Sequence, residues 1–136
     1  MFHAIVPTPT VYTIPLAMVD TDTYQIELGS VESAQFKTSS LLLRIHTGLT
    51  NVKLKLIAYT IWPYSNDAGL RFQDGTPVMT TAESQGGSGD NGVLLTHSPV
   101  TICSPALRIV IGVTATGAVA AGAEFAIAAG MVLHVD

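Results

Sequence analysis

Four histidines, one cysteine, ten carboxylates and a glycine-rich segment are the residues in this chain that could carry chemistry. Zinc needs three or four converging ligands, usually with one closely spaced pair. His3, His46, His97 and His134 are far apart, and none forms an i, i+2 pair. Cys103 lies in Val100-Thr101-Ile102-Cys103, which reads as a buried strand where a free thiol packs as a small hydrophobe. With no second cysteine it forms no internal disulfide. The segment 82–92 is rich in Gly and Ser but lacks the Gly-Lys-Ser/Thr that ends a phosphate-binding loop. Its Glu83, Asp90 and Asn91, or Asp20 and Asp22, could join a calcium site, although neither set has EF-hand spacing. There is no Gly-x-Ser-x-Gly elbow, and no pair of carboxylates is singled out for glycoside hydrolysis. No catalytic residue, cofactor or metal is assigned, and the chain reads as a non-enzyme.

The aromatic residues are more suggestive. Tyr59, Trp62, Tyr64 and Phe72 surround Pro63. Tyr and Trp are frequent anchors of protein interfaces, and aromatic rings on a β-sandwich can also stack on sugars. Trp62 could equally cap the core at a strand end. Subunit contact is the leading reading and glycan binding the alternative.

Charged residues form only 12% of the chain, against about a quarter in ordinary domains. Thr, Ser, Gly and Ala take their place, leaving a polar surface with little charge. Charge is depleted at interface cores, so such a surface suits coverage by copies of the chain or by a partner. The net charge is −4, and the six Lys and Arg are scattered singly. The basic footprint that nucleic-acid binding needs is missing, so no nucleic-acid partner is expected. The N-terminus lacks the basic region of a signal peptide, and Ile109 to Ala123 is too interrupted for a membrane span. A soluble protein with no signal peptide and no membrane partner is expected.

The elements that must position these residues follow a period of two. Leu41, Leu43 and Ile45 alternate with Leu42, Arg44 and His46, and Val52, Leu54, Leu56 and Ala58 with Lys53, Lys55, Ile57 and Tyr59. The glycine-containing link between these runs predicts a β-hairpin. Leu107 to Thr114 and Phe125 to Leu133 predict a second one. Alanine favours helix, but Gly117, Gly122, Gly130 and the strict alternation after Phe125 favour strand. Ala126, Ala128 and Gly130 then form a face almost without bulk, open to close approach by another backbone. Weaker strands are expected at Thr10 to Met18, Thr23 to Leu28, Ser33 to Lys37, Leu70 to Gln73, Val78 to Thr81 and Gly92 to His97. Pro63, Pro77, Pro99 and Pro105 should mark strand ends, and residues 64–69 and 82–92 should be loops. About eight to ten strands give one all-β domain over 1–136, an antiparallel β-sandwich of jelly-roll-like form. Residues 1–9, with apolar Phe2, Ile5 and Val6 followed by Pro7 and Pro9, read as an extended arm.

The low-charge strands Leu41 to His46, Val52 to Trp62, Leu107 to Thr114 and Glu124 to Val135 give the chain a character that resembles small β-sandwich structural proteins of tailed-phage virions, such as capsid decoration and neck proteins. That resemblance implies a virion location, self-association (often as a trimer) and binding to other virion proteins without a cofactor. The residues expected at interfaces are Phe2, Ile5, Tyr59, Ile61, Trp62, Tyr64, Ala126, Ala128 and Gly130.

Overall fold

Ten strands, all paired antiparallel, build two sheets that face each other across one apolar core. The computed structural model describes residues 2–5, 9–66, 69–85, 94–102 and 104–135, with side-chain surroundings for 9–61, 77–84, 94–102 and 104–135. The strands are β1 (Phe2–Ile5), β2 (Thr10–Thr13), β3 (Thr23–Glu32), β4 (Thr38–Thr47), β5 (Val52–Asn66), β6 (Gly69–Thr80), β7 (Ser84–Gln85), β8 (Leu94–Thr101), β9 (Ala106–Ala115) and β10 (Glu124–His134). One sheet has the order β1-β10-β4-β8, with β2 continuing beside β10. The other has the order β3-β9-β5-β6, with β7 continuing beside β5. Apart from the run β5 to β7, each connection from β2 onward crosses between the sheets, the winding of a jelly-roll-like sandwich.

Alternation explains why these strands form and which face each buries. Leu41, Leu43 and Ile45 of β4 and Phe125, Ile127, Met131 and Leu133 of β10 point inward from the first sheet. Val52, Leu54, Leu56 and Ala58 of β5 meet them from the second, with Leu107, Ile109, Ile111 and Val113 of β9. Burying a Leu, Ile or Phe side chain contributes about 1.5–3 kcal/mol, so this inner layer is the main source of stability.

The two expected hairpins do not form. β4 pairs with β10 and β8, whereas β5 pairs with β9, β6 and β7. Likewise β9 pairs with β3 and β5, never with β10. A period of two specifies a buried face, not the neighbour that shares the ladder. The short links instead arch from sheet to sheet and bind one another: Thr116 N–H donates to the Asn51 carbonyl at 2.9 Å, and the Asn51 side-chain amide donates to the Ala118 carbonyl. The hairpin that does form is β5–β6, in which Asn66 lies opposite Gly69. The loop expected at 64–69 is therefore strand except at 67–68, which lie outside the described residues.

Several weaker expectations are also corrected. Ser33 to Lys37 is a turn, because Phe36 N–H bonds back to the Ser33 carbonyl and the Ser33 hydroxyl donates to the Ser104 carbonyl. The two pieces read at 70–73 and 78–81 are one strand, β6, and Ser84–Gln85 inside the expected loop form β7. Pro63, Pro77 and Pro99 lie within strands rather than at their ends. Pro63 follows Ile61, the last β5 residue paired with β9; Pro77 sits at a register shift opposite Tyr59; Pro99 lies at a shift in the edge strand β8. Edges and irregularities are the positions where a missing N–H is tolerated. Thr10 to Met18, which contains Pro15, divides into β2 and an isolated bridge between Met18 and Val119.

Candidate assembly surfaces

The sandwich presents two broad outer faces, and the expected interface residues are divided between them. Directly opposed residues in neighbouring strands share a face. On the first sheet Ala126 lies opposite Val11, Ala128 opposite Arg44, and Gly130 opposite Leu42. Arg44 in turn faces Leu94 of β8, and Leu42 faces Thr96. This outer face therefore reads Val11, Ala126, Ala128, Gly130, Leu42 and Leu94 across four strands. Val11 is 62% exposed and Leu94 55%, two of the largest apolar exposures among the described residues. Ala128 is buried and Ala126 half-buried, so the small residues form a shallow floor between the flanking side chains. Among the described residues, Arg44 and Glu124 are the charged side chains of this face.

Phe2 and Ile5 lie on the margin of the same sheet, where β1 pairs with β10 of its own chain. Phe2 is opposite His134 and Ile5 opposite Met131. Their side chains, like those of Trp62 and Tyr64 on β5, lie outside the described ones.

Tyr59 and Ile61 belong to the opposite face. The Tyr59 hydroxyl accepts from Gln25 Nε2 at 2.9 Å, and the guanidinium of Arg108 lies over the ring, 5.7 Å from its centroid. Arg108 Nε donates to Glu27 Oε2 at 2.6 Å. Lys55 and Glu83 make a looser ion pair at 3.7 Å. This face is polar and cross-linked by charge, and the Tyr59 ring already holds a cation where a sugar would stack.

Between the sheets, beside strands β2 and β3, lies a cavity of about 320 Å³. Its walls include Tyr12, Leu28, Val31, Leu41, Ile109 and Met131, with Gly29 and Ala129 contributing no bulk. Gly29 sits at a shift in the β3–β9 register with a φ of 131°, a conformation essentially confined to glycine. The cavity was not read from the sequence. Its signals were a glycine inside a strand pattern and an alanine at 129 on an otherwise bulky face.

The carboxylates and histidines do not gather. Among the described residues no three of His, Cys, Asp and Glu come close enough to hold a metal ion. Asp22 instead closes its own turn, its Oδ2 accepting from Val19 N–H at 2.9 Å. No helix of the described residues is long and apolar enough to cross a membrane.

No protein-family model matches this chain. No curated protein matches it either. Solved structures do. The VP2 subviral particle of infectious bursal disease virus superposes on 98% of this chain with a TM-score of 0.50 and 18% identity. The Gt strain of the same virus covers 94% of the chain at a TM-score of 0.42 and 18% identity. This chain spans about a third of those viral chains, 33% in each case. A carbohydrate-binding module from the β-sandwich super family covers 95% of this chain, which spans 54% of it, with a TM-score of 0.43 and 12% identity. The first likeness shows a shared β-sandwich fold.

Proposed function

We propose that this chain is a structural protein of a virus particle that acts by self-association and surface binding, with no catalytic step. The observation that carries the reading is the outer face of the β1-β10-β4-β8 sheet. Val11 and Leu94 stand exposed there around the floor of Ala126, Ala128 and Gly130. Removing such a face from water gains about 25 cal/mol per Å² of apolar area, and its low charge keeps the desolvation cost small. The fold shared with VP2, whose structure is that of a subviral particle, supports the same reading. The sequence resemblance to decoration and neck proteins of tailed phages gives it a finer form: a small trimeric component docked on other virion proteins.

The test is the mass in solution by light scattering over a range of concentrations. The wild-type protein should form a closed oligomer, with three copies the leading stoichiometry. A Val11→Glu, Leu94→Glu double variant should remain monomeric and keep the melting temperature that the wild-type protein shows at concentrations too low to associate, because both side chains are exposed in the single chain. A wild-type protein that stays monomeric at high concentration overturns the reading.

A further inference from the structure

We infer that the free edge of β3 is a strand-addition site, and that its occupant is β3 of a second copy, paired antiparallel about a two-fold axis at Ile26. This inference rests on the self-association reading and names a contact distinct from the apolar face above: a two-fold contact joins copies in pairs, so beside a trimer closed by the apolar face it links one trimer to another. Among the described residues, β3 is paired on one side only, with β9. An unpaired edge presents a row of N–H and C=O groups that template another strand.

The other edges carry devices that oppose pairing. The β1–β2 edge is broken at Pro9, β8 by Pro99 at a register shift, and β6 by Pro77 at another. β3 is ten residues long and has no proline, and its register is regular from Thr23 to Glu27. The shift at Gly29 then limits addition to the first half of the strand.

The chemistry of that half is self-complementary. Tyr24, Ile26 and Leu28 are half-buried and pack against the core from the sheet margin, while Gln25 and Glu27 lie on the outer face. A second strand laid beside it must alternate apolar inward and polar outward, and β3 itself has that pattern. With the axis at Ile26, Gln25 faces the partner's Glu27, so an amide meets a carboxylate and no two like charges are opposed. Glu27 is already neutralised by Arg108 within its own chain. Leu28 faces the partner's Tyr24, which brings an aromatic ring to the mouth of the cavity that Leu28, Gly29 and Val31 line. The two-fold axis repeats the same contact at the other cavity. The result is one continuous sheet crossing two copies.

Hydrogen exchange read by mass spectrometry on the intact, unmodified protein tests this, at concentrations spanning monomer to assembly. Amides in peptides covering 23–28 should lose their fast exchange as the oligomer forms. An oligomer in which 23–28 exchanges as fast as in the monomer overturns the β3 contact and leaves the self-association reading standing. A protein that is monomeric throughout overturns both.

Discussion

Arg108 lies with its guanidinium carbon 5.7 Å from the centroid of the Tyr59 ring, and this one contact decides how the most conspicuous aromatic residue of the outer face can be used. A stacking sugar would have to displace the cation, which is also held by Glu27 from the neighbouring strand β3. The wild-type protein should therefore be silent on a glycan array. A strong signal that disappears in Tyr59→Ala would move the function from assembly to carbohydrate binding.

The same cluster has a stability signature. Arg108→Ala removes a partly exposed ion pair and a cation–π contact, each worth up to about 1 kcal/mol at such sites. Urea unfolding should show a loss of about 1 kcal/mol that shrinks in high salt. A loss unaffected by salt would assign Arg108 a packing role instead.

Ser39 offers a test of opposite sign. Its hydroxyl is buried on the core side of β4 with no hydrogen-bond partner among the described residues, and an unsatisfied buried polar group costs about 1–3 kcal/mol. Ser39→Ala should raise the unfolding free energy by about 1 kcal/mol. A fall in stability would mean that the hydroxyl is bonded in solution.

Two positions test the backbone. Thr21 holds a φ of 73° in the Val19–Asp22 turn, where a β-branched residue is strained by about 1–2 kcal/mol, so Thr21→Gly should raise the melting temperature. Gly29→Ala should lower it, with a cost of about 1–3 kcal/mol. A Cβ at 29 meets no atom within 4 Å, so that cost is conformational rather than steric. If Gly29→Ala melts at the wild-type temperature, the bulge is not fixed by φ.

The inward residues of β4, β5, β9 and β10 were legible because alternation over six or more residues has one physical cause, a sheet with one buried side. The strand reading of Phe125 to Leu133 against a helical composition rests on that cause. Pairing was not legible. β4 and β5, with Leu41 and Leu54, look like hairpin partners yet lie in opposite sheets around one core, since nothing local distinguishes a turn within a sheet from an arch between sheets. The Arg108–Glu27 bond joins residues 81 apart in sequence, and the division of Tyr59 from Ala126 onto opposite faces depends on the same long-range order. The cavity was half legible, through Gly29, but its other wall depends on Ala129 arriving opposite.

The arches between sheets have a kinetic consequence. Because β4 and β5, and likewise β9 and β10, are sequence neighbours in different sheets, nearly every ladder must close a long loop before it gains a single bond. Among the described strands, only the β5–β6 hairpin can form from nearby residues. Refolding should therefore be slow for a chain of this size, on the order of milliseconds to seconds. Until β9 and β10 find their places, the edges of β4 and β5 stand open. Self-association of the kind proposed would draw on a pool whose newest members are the most prone to pair wrongly, so assembly at low protein concentration should give the higher yield of correct product.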